Sequence, residues 1–252
     1  MPDTTTVPAG PSPAGAAGIG SEGRRGRLGG AIALVRLRDF ALVPAIIVIA
    51  VIGQLVNPIF LQYDNVINIL QTMSEIALLV LAQTIVLITG KMDLSLESTF
   101  GIAPGVAAWL TVAAGAGHGL GLLPGAWAIP VTLGVGVLIG VFNALLIVRF
   151  GLHGFIVTLG MLIVLRGLLT GISGGQTFFN LPASMMYLGS TSWLGLPASV
   201  WLCFALFAAG IVVLGHTGFG RALYAIGGNV DAARAAGIRT GRVLWIALIA
   251  AS

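Results

Sequence analysis

Residues 218–242 read GFGRALYAIGGNVDAARAAGIRTGR and form the longest polar interval between apolar spans. Arg221, Arg234, Arg239 and Arg242 make the interval basic, with Asp231 among them. Asn229 is a good helix N-cap, residues 230–236 are an Ala-rich helical run, and Gly237 is a good stop. Asp231 falls in the first turn, where the helix dipole favours an anion. About two turns of helix do not hold alone in water, because nucleation costs more than so few hydrogen bonds return. The sides of this helix are mostly methyl groups, at Ala232, Ala233, Ala235 and Ala236, and small side chains let a second surface come close. The interval therefore reads either as a docking helix for a soluble partner or as an ordinary ordered loop.

What flanks it settles the class. The chain has 252 residues, 57% hydrophobic and 8% charged, with a mean hydropathy of +1.04. Soluble domains carry about 25% charged residues, so the composition is that of a polytopic membrane protein. Its 37 glycines are about twice the usual share of ~7%, which suits helices packed closely in lipid. Cys203 lies in an apolar run and reads as packing rather than redox or metal chemistry. The pI of about 10.0 reflects membrane topology and not nucleic-acid binding.

A spanning helix needs about 20 apolar residues. Six segments qualify: 41–60, 67–89, 94–114, 126–148, 155–172 and 198–214. A seventh begins at Val243 and stops at Ser252, too soon to cross, so the chain reads as C-terminally truncated. The expected fold is an all-α polytopic bundle of about six complete spans plus the start of a seventh. Residues 1–38 are Pro/Gly/Ala/Thr-rich and basic and read as a disordered cytoplasmic tail, with 39–252 as the membrane domain. Arg24, Arg25, Arg27, Arg36 and Arg38 precede the first span in the manner of a signal peptide, but no small-residue cleavage site follows, and a retained first helix is expected.

With the N-terminus in the cytoplasm, the inner loops hold Lys91, Arg149 and the four arginines of the opening stretch. The outer loops, 61–66, 115–125 and 173–197, contain no Lys or Arg. That asymmetry is a positive-inside signal and puts the docking segment inside the cell.

Several residues invite a chemical reading. Glu75 lies midway along the second span, where an intramembrane carboxylate costs about 2.5–3.5 kcal/mol on insertion scales. Gln71, Thr72, Glu75 and Gln83 share one helical face, as a pathway wall or as a buried network between helices. Arg166 lies within the fifth span and reads as structural. Asp93 can cap the third helix, with Glu97 in its first turn. Gly101-x-x-x-Gly105 and Gly136-x-x-x-Gly140 are packing notches. Gly171-Ile172-Ser173-Gly174-Gly175 matches the G-x-S-x-G elbow of serine hydrolases, which requires a strand before the serine and a helix after it. An apolar helix precedes Ser173 instead, and His118, His153 and His216 show no pairing with it, so a helix terminator is the preferred reading. A P-loop, an H-E-x-x-H motif and a Cys/His cluster are all missing from the sequence, so energy for any transport would come from elsewhere.

Four segments together resemble the membrane permeases of bacterial monosaccharide ABC importers, the ribose/xylose/galactose type. They are TGKMDLSLES at 89–98, which contains Asp93, Leu94 and Ser95; Gly140 to Asn143 with FIVTLG at 155–160 and Arg166-Gly167; Gly174-Gly175-Gln176; and FGRALYAIGGNVDAARAAGI in the opening stretch. The last is the most specific, and the resemblance runs from about Asn65 to the C-terminus. It implies two permease copies around one pathway, cytosolic ATPase subunits that bind ATP and Mg and grip the coupling segment, and an extracytoplasmic sugar-binding protein. No cofactor, metal or catalytic residue is expected in this chain itself. Phe219, Gly220, Arg221, Asn229, Asp231, Ala232, Ala233, Arg234 and Gly237 are then coupling residues, and Gln71, Glu75, Gln83, Asn143 and Gln176 are pathway candidates. The chain departs from the family pattern at Lys91 (usually Gly), Gly154 (often Pro) and Ala236 (often Ser), and family members continue through roughly three further spans. The rival readings are an ATPase-independent transporter or channel using Glu75, and an intramembrane serine protease at Ser173.

Overall fold

A computed structural model describes residues 42–115 and 118–252. The chain divides into two units, Met1–Gln62 and Tyr63–Ser252. The expected tail, 1–38, and the tail arginines lie outside the described residues. In the first unit, helix α1 (Leu42–Val56) is apolar on all sides and is followed by a turn in which Asn57 Oδ1 accepts from Ile59 N–H at 3.0 Å.

The second unit is helical apart from one two-residue ladder. Its elements are α2 (Tyr63–Ile88), α3 (Ser95–Thr111), α4 (Ala128–Ala144), α5 (Gly154–Ser173), α6 (Ala183–Ser190), the hairpin β1 (Ser192–Trp193) and β2 (Leu196–Pro197), α7 (Ala198–His216), α8 (Gly218–Gly228), α9 (Val230–Ala235) and α10 (Thr240–Ala251). Leu194 and Gly195 both have positive φ, 52° and 82°, as the tight two-residue hairpin turn requires.

Among the described residues, four helical stretches are long and apolar enough to cross a membrane: Tyr63–Ile88, Gly125–Arg149, Gly154–Ser173 and Ala198–His216. Six such spans were expected from hydropathy, and the other two correspond to shorter described helices. Helix α1 has 15 residues and α3 has 17, with Pro104 inside. The expected third span, 94–114, ends early because Val112 turns to extended backbone. The expected fourth, 126–148, begins as a 3-10 turn at Gly125–Trp127 and ends as a π turn at Leu145–Arg149, where Phe150 N–H reaches back to the Leu145 carbonyl at 3.1 Å. α10 carries the expected start of a further span, from Thr240 rather than Val243.

α3 is the hub. It packs most extensively on α5 and α4, and nine of its 17 residues are buried, more than in any longer helix of the second unit. Ile102 of α3, Ile139 of α4 and Leu165 of α5 form one core cluster. The two small-residue notches do what their spacing suggests. Gly101 and Gly105 face Leu169 of α5, and a Cβ at Gly105 would lie 2.5 Å from it. Gly136 and Gly140 face α10, and a Cβ at Gly140 would lie 2.8 Å from Ile249 Cα. Polarity is inverted relative to a soluble domain. Ser74, Ser95, Ser98, Thr99, Asn143 and Thr158 are buried, while Leu133, Ile163 and Ile211 are about two-thirds exposed. Such an exterior suits hydrocarbon, where association rests on close packing and interhelical hydrogen bonds.

Gly140→Leu should destabilise the bundle by about 1–3 kcal/mol, because Ile249 backbone fills the space the side chain needs. Thermal unfolding in a mild detergent, compared with Gly134→Leu, checks this, since nothing lies within 4 Å of a Cβ at Gly134. Equal melting of the two variants would contradict the α4–α10 contact.

Candidate functional site: the coupling segment and the joint beneath it

The segment that follows α7 is built from caps and close approaches. Thr217 Oγ1 accepts from Gly220 N–H at 3.2 Å and so caps α8. Gly220 is required there, because a Cβ would fall 2.3 Å from the Leu214 carbonyl oxygen. At the other end of α8, a Cβ on Gly227 would sit 1.8 Å from the Ile88 carbonyl oxygen. The glycine therefore lets α8 lie directly on the last turn of α2. Leu223 and Ile226 are buried beneath it.

Asn229 then reverses the chain. Its Oδ1 accepts from Asp231 N–H and Ala232 N–H, both at 3.0 Å, and opens α9. Gly237, at φ +84°, closes α9 in a left-handed stop. Ile238 N–H bonds the Ala233 carbonyl at 3.1 Å and Gly237 N–H the Arg234 carbonyl at 3.0 Å, a Schellman-type ending. Sequence reasoning thus foresaw the cap, the stop and the helix between them. It missed α8, and it did not tell the inward methyl group of α9 from the outward ones. Ala233 points inward, 5% exposed, against Ile226 and Leu244. Ala232, Ala235 and Ala236 are exposed and form the open face. Arg234 pairs with Asp231 at 3.2 Å, both largely exposed, a contact of little energetic weight. Phe219 is half-buried and Arg221 exposed.

A cleft of about 490 Å³ separates this segment from the α2–α3 linker, with Lys91, Asn229, Arg234 and Thr240 on its walls. On the far side of that linker lies a buried polar joint. Leu94 has helical dihedrals, φ −80° and ψ −14°, so the effective N-cap of α3 is Asp93. Asp93 Oδ1 accepts from Ser95 N–H at 2.8 Å and from Ser95 Oγ–H at 2.6 Å. Asn143 of α4 donates Nδ2–H to Ser95 Oγ at 2.8 Å. Burial raises the Asp93 carboxyl above its ordinary 3.8, against the hydrogen bonds from Ser95 and Asn143, which favour the anion. Two more bonds tie the same region to α5: Ser98 Oγ–H donates to the Leu162 carbonyl at 2.9 Å, and Thr158 Oγ1–H reaches the Met92 carbonyl at 3.4 Å.

The other expected site residues are scattered. Asn143, read from sequence as a pathway residue, is wholly buried in this joint. Gln71 donates to the Gly189 carbonyl at 3.0 Å and so ties α2 to α6. Glu75 is exposed on α2 and Gln83 is half-buried on the same helix. Gln176 is exposed after α5, far in sequence and in element order from both. Arg166 pairs with Glu97 at 3.0 Å, linking α5 to the first turn of α3. No local signal could have found that partner. Ser173 ends α5, and its hydroxyl is engaged with the Thr170 carbonyl and Gly175 N–H. A helix rather than a strand leads into it, so the hydrolase elbow does not form.

The family described as "Branched-chain amino acid transport system / permease component" matches residues 65–252. The chain belongs to this permease family. Among curated relatives, the ribose import permease protein RbsC of Haemophilus influenzae is 29% identical over 214 residues, 83% of this chain and 63% of that protein. RbsC of Escherichia coli K12 is 31% identical over 207 residues, 81% of this chain and 62% of that protein. The autoinducer 2 import system permease protein LsrC of Klebsiella pneumoniae is 33% identical over 214 residues, 85% of this chain and 60% of that protein. The chain therefore spans about three fifths of the length of the curated relatives it matches. No solved structure matches it.

Within the permease, the cap at Asn229 should be the local determinant of α9. Asn229→Ala is expected to lower the protection of the Asp231 and Ala232 amides by about 1 kcal/mol, read by hydrogen exchange, while Asn229→Asp leaves it near the wild-type level. Unchanged exchange in Asn229→Ala would show that α9 does not depend on this cap.

Proposed function

We propose that the chain is the membrane-spanning permease subunit of an ATP-driven importer for a monosaccharide or a similarly small polyhydroxylated solute. The observation that carries this reading is the α8–α9 segment: a short, doubly capped helix with an exposed methyl face, seated on a helix that lies on the end of α2, inside the region that matches the permease family. The names of the relatives support the importer class. Ribose in two cases and autoinducer 2 in the third also leave the individual solute open among small oxygen-rich molecules.

On this reading α8 and α9 sit on the cytoplasmic side, as does the N-terminus, and a P-loop ATPase that binds ATP and Mg seats its surface against Ala232, Ala235 and Ala236. Arg221, Asp231 and Arg234 border the contact. Phe219, Gly220, Asn229, Ala233 and Gly237 fix its shape from behind. An extracytoplasmic binding protein delivers the solute at the end that carries α6 and the β hairpin, and a second copy of the permease completes the pathway, with Gln71, Glu75, Gln83 and Gln176 as wall candidates. Within the second unit, α3 and α10 take the places of the short third and incipient seventh spans. Catalysis belongs to the ATPase, and this chain contributes the pathway. A partner can drive the permease only by binding its two states with different strength. The seating of α9 on Ile226 of α8, which itself lies on the end of α2, and on Leu244 of α10 gives such a difference something to act on.

Ala232→Trp tests the contact without disturbing the core, because Ala232 is exposed. Solute uptake in cells should fall at least tenfold, equivalent to about 1.4 kcal/mol, and the ATPase should no longer co-purify, while membrane insertion and melting stay at wild-type levels. Normal uptake with normal co-purification would sink the assignment of this face.

A further inference from the structure

Glu97 and Arg166 form an ion pair where lipid cannot accept one. Arg166 is the thirteenth of the 20 residues of α5, Gly154–Ser173, a helix long and apolar enough to span. At 1.5 Å per residue it lies about 10 Å from the C-terminal end of that helix. Glu97 is held at a similar depth, because its neighbour Ser98 donates to the Leu162 carbonyl in the middle of α5 at 2.9 Å. A hydrocarbon core about 30 Å thick takes in both. Arg166 Nη2–H donates to Glu97 Oε1 at 3.0 Å, and yet the two side chains are 67% and 57% exposed. Charged groups at that depth turn to the bundle interior or to a water-filled cavity.

The surface of α5 changes character at this pair. Before it, Ile156, Leu159 and Ile163 are exposed on one side of the helix, as suits lipid. From Arg166 onward the same side, at 100° per residue, carries Gly167, Thr170, Gly171 and Ser173. The bulky residues of that stretch, Leu168, Leu169 and Ile172, fall on the other side, and Leu169 fills the glycine notch of α3. Gly167, Thr170 and Gly171 are exposed, and nothing lies within 4 Å of a Cβ at either glycine. An open furrow with small and polar walls thus runs along the last turns of α5 to the ion pair. The exposed side of α7, by contrast, carries Phe204, Ile211 and Val212. The pair is also only partly used. One hydrogen bond joins it, so Glu97 Oε2 and the remaining guanidinium N–H groups have no protein partner among the described residues.

We propose that this furrow is the outer mouth of the solute pathway, and that the Glu97–Arg166 pair at its foot binds the hydroxyl groups of a sugar. The proposal rests on the importer function given above, in which the C-terminal end of α5 faces outward. A sugar hydroxyl is donor and acceptor at once. One hydroxyl of a neighbouring pair donates to Glu97 Oε2 while the other accepts from an Arg166 N–H, and water does the same when no solute is there. Two charges that neutralise each other hold a neutral, oxygen-rich solute without selecting an anion or a cation. Ile163, one turn deeper, offers no hydrogen bond, which makes the pair the innermost polar station on this side of α5.

Cysteine labelling in native cells tests the furrow and the site separately. Cys203 is the chain's one cysteine, so Cys203→Ser supplies the background. Thr170→Cys should react with a membrane-impermeant thiol reagent about tenfold faster than Ile211→Cys, because the reactive thiolate forms in water and not in lipid. A saturating concentration of whichever of ribose, xylose, galactose and autoinducer 2 the wild type takes up should slow that reaction severalfold. Glu97→Leu combined with Arg166→Met removes the polar groups and keeps the bulk. Uptake should then fall about tenfold, as expected when hydrogen bonds to charged groups are lost. The solute should no longer protect Thr170→Cys, while melting and co-purification of the ATPase stay at wild-type levels. If the double variant does not fold, the labelling of Thr170→Cys and its protection decide alone. Equal labelling of the two cysteines would overturn the proposal, with lipid or a second copy of the chain covering the furrow. So would labelling that no transported solute slows, or normal uptake in the double variant. A wild type that takes up none of the four solutes would count against the importer function itself, and the site would fall with it.

Discussion

The hydrogen bonds that run from Asp93 through Ser95 to Asn143 hold the start of α3 against α4, and the remaining contacts of the bundle depend on that placement. α3 is too short to span alone, so its position is set by what grips its first turn. Once it is held there, Gly101 and Gly105 meet Leu169 of α5, Glu97 meets Arg166, and Ser98 reaches the Leu162 carbonyl. The opposite glycine notch of α4, at Gly136 and Gly140, then receives α10. Polar atoms direct this assembly because an apolar exterior cannot: between lipid and a neighbouring helix, leucine gains little by changing sides.

The α8–α9 segment is fastened to the same region. α8 lies so close to the end of α2 that only glycine fits at Gly227. The residues after Ile88 are the linker that delivers Asp93 to its joint. α9 is seated through Ala233 on Ile226 and Leu244, and Leu244 belongs to α10, which packs in the α4 notch. A displacement of α9 would therefore press on α2 and α10 together, and through them on both sides of the α3–α4 pair. This is mechanical continuity of packed elements. On the proposed function it would become coupling if two states of the bundle bound an ATPase with different strength.

Local chemistry was legible in the sequence, and long-range pairing was not. Asn229, Gly237 and the glycine notches could be read because a cap, a left-handed stop and a missing side chain act within a few residues. The membrane class followed from composition, and the family from four segments together, of which the one within residues 218–242 is the most specific. The third expected span was drawn too long because hydropathy registers apolar residues whether or not the backbone stays helical: Val112 and the residues after it are apolar but leave α3. α8 was missed because Gly218, Gly220, Gly227 and Gly228 depress helix propensity, and its helix is imposed by burial of Leu223 and Ile226. Arg166 and Asn143 looked alike as isolated polar residues in apolar runs. Their partners, Glu97 and Ser95, lie in a different helix, so one emerged as an exposed ion pair and the other as part of a closed joint.

The most direct measurement is site-specific photo-crosslinking in native membranes, with the reactive group placed in turn at Ala232 on α9 and at Leu194 on the hairpin at the opposite end of the bundle. The account predicts that Ala232 captures a P-loop ATPase, that Leu194 does not, and that Ala233, being buried, captures only this chain. Capture of the ATPase from Leu194, or from none of the three, would contradict it.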